Sequence, residues 1–374
     1  MKKKIIVWDF IGIAKPWISL YVDEKNMEVI QIVTSSDRVV EFPDEWDYLI
    51  ILGYKEVLEG IVKELELPSE RVIYALYAQS WKEHPDAKRC FMSHAGGERR
   101  VIDFLRAQQV GDYVTCTTDE GLSYVAASSD SVIMHRMYVS CRNWAKEEMD
   151  LFFRLSRRYY GTDHRQGWFL DLGANIGTTG IYFQKKLDSN VRLLAFEPDS
   201  TNYRMLLVNI LLNRMEGQTV VEQLGLGAKK DEMTIHKSSV NPGGNSFLSD
   251  YGEAAETVRI VPLDDYFLEN RLRFADVKYI WVDVEGFELQ VLYGARNLLR
   301  DHGIPVFLEY NPHLWKQAGF LDEALDALSS IYSGYIRVSE ALKGHGRIHP
   351  LAELHAIKEN PFVFGTGGDI FLVK

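Results

Sequence analysis

Trp168-Phe169-Leu170-Asp171-Leu172-Gly173-Ala174-Asn175-Ile176-Gly177 is the stretch that decides the fold of this chain. An apolar run of strand length gives way to a glycine-bearing turn, and Thr178 to Lys186 then has helical character. Glycine lets the backbone approach a ligand closely, and the first turn of a helix offers N–H groups that have no intrahelical partner. Strand-length apolar runs recur at Val191 to Phe196, Thr219 to Leu224, Tyr279 to Val284 and Ile304 to Leu308, with helical stretches between most of them. That rhythm predicts a mostly parallel sheet with helices on both faces and ligands at the carboxyl ends of the strands.

The second run ends in Phe196-Glu197-Pro198-Asp199. A carboxylate at the end of a second strand accepts hydrogen bonds from both ribose hydroxyls, a feature that dinucleotide sites share. The glycine spacing separates the cofactors. A dinucleotide turn wants Gly-x-Gly-x-x-Gly so that a pyrophosphate fits at the helix start, whereas here Asn175 holds the second glycine position. Asp171 would also set a negative charge near that pyrophosphate, while S-adenosylmethionine has no phosphate and carries an ammonium and a sulfonium. The expectation is therefore an S-adenosylmethionine enzyme. An NAD(P)-dependent oxidoreductase is the first alternative, and a non-catalytic binding protein on the same scaffold is the second, because a fold alone does not establish chemistry.

Four segments resemble the FkbM family of class I, Rossmann-like methyltransferases. They are Phe169 to Gly177, Ala195-Phe196-Glu197-Pro198, Val261-Pro262-Leu263-Asp264-Asp265-Tyr266, and Ile280-Trp281-Val282-Asp283-Val284-Glu285-Gly286-Phe287-Glu288-Leu289 with Val291-Leu292-Tyr293-Gly294-Ala295 after it. Phe307-Leu308-Glu309-Tyr310 is similar to the family pattern that follows. The resemblance implies a seven-stranded sheet whose last strand, Asp369 to Val373, runs antiparallel. It implies cofactor contacts from Asp171, Gly173, Asn175 and Gly177, with Ala174 in the same turn, and from Glu197 on the ribose. Pro198 and Asp199 would flank the adenine, with Leu224 and Gly225 on its other side. The implied reaction is O-methylation of a hydroxyl on a sugar, glycan or natural-product acceptor.

Proton acceptors are sought at the strand ends. Asp283 ends the fourth run and Glu285 lies two residues on, so both are expected at the mouth of the cleft, while Glu309 and His313 follow the fifth. These four are the candidates for general base or hydroxyl binding. Glu285 serves equally as an acidic residue in the first turn of its helix, and His313 as a loop histidine. Several carboxylates in one cleft suit Mg²⁺, but no spacing demands a metal. Asn241-Pro242-Gly243-Gly244-Asn245-Ser246 reads as a lid, a substrate-contacting loop or a plain surface loop.

The 374 residues allow two folded units, and 46% hydrophobic with 25% charged residues is a globular balance. The expected division is a small α/β, Rossmann-like domain over 1–85, a linker with hairpin and helical pieces over 86–144, and the methyltransferase domain over 145–374. Apolar runs fall short of the roughly 20 residues that span a bilayer, and the one at the start meets Asp9 too early for a secretory core. Cys90, Cys116 and Cys141 lack paired spacing, which points to a reducing cytoplasm and to no zinc cluster. A net charge of −11 disfavours nucleic acid as a partner and leaves the oligomeric state open.

Overall fold

The computed structural model of the protein describes residues 2–10, 14–22, 26–34, 42–53, 55–75, 80, 83–91, 100, 103–105, 107–108, 111–161, 166–239, 241–360 and 368–374. The chain packs as two compact units, one made of 1–116, 126–141 and 239–241, the other of 117–125, 142–238 and 242–374.

In the first unit, β1 (Lys3–Asp9), β2 (Met27–Thr34), β3 (Tyr48–Leu52) and β4 (Val72–Tyr74) form a parallel sheet in the order β2-β1-β3-β4. The buried stretches of the central strands, Ile5 to Trp8 and Leu49 to Leu52, are apolar because both faces are covered. Val7 and Ile50 meet Trp17 and Phe91 on one face, and Ile6 and Ile51 meet Leu58 and Val62 on the other. The helix Lys55–Glu64 ends ahead of Leu67-Pro68 as the proline requires. The apolar residues after Arg71 form β4, and 76–79 lie outside the described residues. Within the polar stretch from Ser80 to Arg100, Pro85–Phe91 is helical, while 92–99 are not described.

Two short strands follow, β5 (Tyr113–Thr117) and β6 (Ser123–Ala127). The apolar piece Val132 to Met134 opens the helix Ile133–Ser140. Asp130 decides this, since its Oδ1 accepts from the N–H groups of Val132 and Ile133 at 3.1 and 2.9 Å and so supplies the helix start.

The second unit contains β7 (Gly167–Leu172), β8 (Val191–Phe196), β9 (Thr219–Glu222), β10 (Gly225–Leu226), β11 (Asp231–His236), β12 (Ala255–Val261), β13 (Val277–Val282), β14 (Val306–Tyr310), β15 (Gly334–Arg337), β16 (Ile348–Pro350) and β17 (Gly368–Val373). Its main sheet runs β16-β15-β17-β14-β13-β7-β8-β9. The strands from β9 to β14 are parallel, and β17 inserts antiparallel between β14 and β15. This is a doubly wound, mostly parallel sheet with the expected reversed last strand, and β16 adds an eighth strand at one edge. The expected run Thr219 to Leu224 pairs in the main sheet only as far as Glu222, and β10 just after it joins a small second sheet in the order β10-β12-β11.

Side-chain alternation sorts the main sheet's two faces. Phe169, Tyr279, Trp281, Phe307 and Phe371 gather about Phe152 and Phe183, with Trp281 and Phe307 stacked at 3.5 Å. Phe152 comes from the helix Lys146–Tyr160, whose Met149, Phe152 and Ser156 are buried at helical spacing. Left-handed Ala145, at φ 51°, sets the start of this helix. On the opposite face, Leu170, Leu172, Ile280, Val282, Val306 and Leu308 join the largest apolar core. Among the described residues, no helix is long and apolar enough to cross a membrane.

Candidate active site

The strand order reverses between β7 and β13, since β7 leads on to β8 on one side while β13 lies on the other. Open α/β sheets bind ligands at such switch points, beyond the carboxyl ends of the strands. A cavity of about 520 Å³ lies there. Its floor is two turns held in contact. Gly173, at φ 86°, follows β7, and a Cβ added to it would stand 1.9 Å from the carbonyl oxygen of Asp283, which follows β13. Only glycine lets the two turns approach in this way.

The first turn also carries Asn175 in a left-handed conformation, at φ 49°. Its N–H donates to Glu197 Oε2 at 2.7 Å, and the N–H of Asp199 donates to Glu197 Oε1 at 2.9 Å. Two backbone donors thus fix the Glu197 carboxyl against the wall of the cavity, and each oxygen retains a lone pair for a ligand. Burial, with Asp199 nearby, still pushes Glu197 up to about 8. The side-chain oxygen of Asn175 is buried with no hydrogen-bond partner among the described residues.

Of the residues expected on the cofactor, Gly173, Asn175, Glu197, Pro198, Leu224 and Gly225 line the cavity. Asp171, Ala174, Gly177 and Asp199 do not. Asp171 points to the helix side of the sheet, where its Oδ2 accepts from the Gly180 N–H at 2.9 Å and its Oδ1 is buried without a hydrogen-bond partner among the described residues. Burial, assisted by the nearby Asp283, raises its carboxyl to about 7. Asp199 caps the helix Ser200–Leu212 through the N–H groups of Thr201 and Asn202 and pairs with Lys237 at 2.7 Å. The cap and the ion pair hold Asp199 behind the cavity wall.

Sequence reasoning missed the apolar end of the cavity. Phe196, Leu226, Ile235 and Phe247 join Leu224 there, and Ile235 and Phe247 come from the small second sheet and the loop beside it. Phe247 also packs on Phe287, with ring centroids 5.4 Å apart. The β11–β12 pair could have been read from its alternating residues, but its position over the cavity is a tertiary fact. Pro242, Gly243 and Asn245 of the turn-rich loop line the cavity too, and Ser246 ties that loop to the Glu285 carbonyl at 3.2 Å.

Asp283 and Glu285 line the cavity too and are partly exposed. Glu285 is held at φ 52°, a conformation uncommon for a non-glycine residue and found most often at functional turns. Burial, with Glu288 nearby, raises Asp283 to about 7, and burial with Asp283 and Glu288 raises Glu285 well above the carboxylate range. Glu309 does not line the cavity, but it belongs to the same group, raised by burial and then by Glu285, Asp283, Glu288 and Asp369. His313 is exposed on the short helix Pro312–Gln317 and does not reach the cavity lining. Glu288 was not singled out by sequence reasoning. It is fully buried and braces the turn, accepting from the N–H groups of Val284 and Gly286 and from Trp315 Nε1 at 2.8 Å. Among the described residues, no group of three or more His, Cys, Asp or Glu side chains has the geometry to hold a metal ion.

Residues 171–335 match the sequence model of the methyltransferase FkbM domain, in agreement with the motif resemblance. Hexuronic acid methyltransferase AglP of Haloferax volcanii is 28% identical over 130 residues, which are 35% of this chain and 50% of that protein. The chain thus spans about half the length of this curated relative. Among solved structures, methyltransferase FkbM from Methylobacillus flagellatus KT is 16% identical, with 99% of this chain and 90% of that one covered, at a TM-score of 0.36. Precorrin-6y C5,15-methyltransferase from Geobacter metallireducens GS-15 is 12% identical, with 61% and 86% covered, at a TM-score of 0.31.

Proposed function

We propose that this chain, whose residues 171–335 match the methyltransferase FkbM domain, is an S-adenosylmethionine-dependent O-methyltransferase acting on a saccharide hydroxyl. The observation that carries the reading is the set of ionisable groups on the cavity wall. Among the described residues, Glu197, Asp283 and Glu285 line it and no lysine, arginine or histidine does. Such carboxyls ionise beside a cationic ligand and offer a pyrophosphate no positive side chain, which disfavours a dinucleotide.

The residues present fit this cofactor from one end to the other. Leu224, Leu226, Ile235 and Phe247 offer an apolar slot of the kind a purine fills. Glu197 is set to accept from ribose hydroxyls, and the Asn175 side-chain oxygen awaits a donor. Asp283 and Glu285 face the region left for the charged end and the acceptor. When bound, S-adenosylmethionine supplies an activated methyl group. The chain's task is to hold an acceptor hydroxyl in line with that carbon, exclude water, and take up the hydroxyl proton as the oxygen–carbon bond forms.

Asp283 and Glu285 are the assigned candidates for that proton, and Glu309 stands behind them as part of the same buried carboxyl group. Asp283 at about 7 is poised near neutral pH, where a base is most effective. The saccharide acceptor is supported by the relative named for hexuronic acid methylation.

Calorimetric titration with S-adenosylmethionine, S-adenosylhomocysteine and NADH tests the cofactor. Micromolar binding of a sulfur ligand, about −8 kcal/mol, with none of NADH is expected. NADH binding without the sulfur ligands would overturn the reading. Transfer of a labelled methyl group to a saccharide panel then tests the acceptor.

A further inference from the structure

The first unit holds a pocket of its own, of about 330 Å³, beside the helix Ala14–Tyr21. Trp17 and Tyr21 of that helix stack at 4.9 Å in its lining, and Phe104 and His135 meet there with ring centroids also 4.9 Å apart. His135 belongs to the helix Ile133–Ser140, and a hydrogen bond between its Nε2 and the Tyr21 hydroxyl joins the two ring pairs across 114 positions of sequence.

This lining is aromatic and uncharged. Among the described residues, no aspartate, glutamate, lysine or arginine contributes to it. The histidine is neutral as well, because burial lowers His135 to about 4. With Nε2 engaged by Tyr21, Nδ1 has no partner among the described residues, and it carries a proton or a lone pair according to whether the hydroxyl donates or accepts. Gln108 donates from Nε2 to Ser131 Oγ at 3.2 Å, so its carbonyl oxygen is the end left without a partner among the described residues. The indole N–H of Trp17, a residue only 5% exposed, has none among them either. An acceptor, a donor and a nitrogen that serves as either are thus set among four rings.

We infer that this pocket binds a nucleobase, the flat heterocycle of a nucleoside, stacked on its rings and held at its edge by Gln108, His135 and Trp17. Every base has a π-face that stacks on aromatic side chains, and an edge on which donors and acceptors lie side by side. The competing ligand classes fit less well. An ion finds no countercharge here. A saccharide carries hydroxyls around its whole rim, more than three polar atoms satisfy, and a purely apolar ligand would leave all three without partners at a cost for each. A mostly aromatic pocket with a few placed polar groups is also the common form of a small-molecule site. It shares no lining residue with the cavity of the second unit, so the inference does not rest on the methyltransferase reading.

The test is direct binding to the full chain, followed by ligand NMR. Uridine, cytidine, adenosine and guanosine are titrated, with ribose, methyl β-glucoside and p-cresol as controls. At least one nucleoside is expected to bind about tenfold or more tighter than every control, because only a base meets both the rings and the polar atoms. Since the cavity of the second unit is itself proposed for a nucleoside-bearing cofactor, two variants assign the site. Gln108→Leu keeps the size of the side chain and removes its acceptor, so it should weaken the preferred nucleoside about tenfold, whereas Glu197→Ala should leave that affinity in place. Trp17→Phe keeps a ring and removes the indole N–H, and should weaken the same nucleoside severalfold; melting curves of each variant show that the fold is retained. No nucleoside binding, a control that binds as tightly as the best nucleoside, or a preference that survives both Gln108→Leu and Trp17→Phe would each overturn the inference. Loss of the preference in Glu197→Ala alone would move the base to the second unit's cavity and overturn it too.

Discussion

Binding of S-adenosylmethionine should release protons, and its affinity should therefore rise with pH. In the free protein, Asp171 and Asp283 are held at about 7 and Glu197 at about 8. A group titrating at about 7 is about half protonated at neutral pH, so the two aspartates together hold about one proton there. A unit positive charge at roughly 7 Å, in an effective dielectric near 20, favours a carboxylate by about 2 kcal/mol, or about 1.7 pH units. Each carboxyl so lowered sheds its proton on binding, and the affinity gained across its titration is the same factor, about fiftyfold at most. Screening and coupling between the sites reduce that factor, and a rise of at least about tenfold between pH 5.5 and 8 is expected. Calorimetry in two buffers of different ionisation enthalpy counts the protons directly. S-adenosylhomocysteine lacks the sulfonium charge and should release fewer. Affinity that is flat or falls with rising pH, or equal proton release for the two ligands, would refute the charge argument.

The same shifts predict a pH-dependent fold. A carboxyl raised on folding contributes no penalty below its unfolded value near 4, and stability falls as pH climbs from there through the folded value of about 7, so the free protein should melt lower at pH 7.5 than at pH 5 until cofactor is added. Gly173→Ala places a methyl 1.9 Å from the Asp283 carbonyl at a φ of 86° and should destabilise by roughly 2 kcal/mol or more, with S-adenosylhomocysteine binding lost, in paired melting and titration experiments. Glu197→Ala should weaken S-adenosylhomocysteine by about tenfold to a hundredfold, whereas Asp283→Asn should lower turnover and change that affinity far less; equal effects of the two on both readouts would contradict the assignment. Asp199→Ala should cost about 1–2 kcal/mol of stability through the lost helix cap, and Asp199→Asn, which can still cap, less, with cofactor affinity close to unchanged in both.

Local sequence carried the elements that local forces decide. The apolar runs became β7, β8, β13 and β14 because a buried parallel strand needs no more than a short apolar stretch between turn residues. Gly173 and Gly177 marked the turn because only glycine takes its backbone angles without strain, and Glu197 stood where a second strand must end. Where local signals competed, the shorter-range one won: the cap at Asp130 made Val132 to Met134 the start of a helix, and left-handed Ala145 set the start of the helix after it.

What the sequence alone determined was the sheet of the second unit, the turn at its centre and the identity of the carboxylates around it. Only the tertiary structure decided which of those carboxylates see the cavity. Asp171 lies one residue out of phase in its strand and points at Gly180, Asp199 is drawn away to a helix start and to Lys237, and His313 is left on the surface. The apolar slot and the buried brace at Glu288 are each assembled from segments far apart in the chain. No pattern of neighbouring residues encodes them, because facing, burial and mutual charge arise only when distant strands are packed side by side.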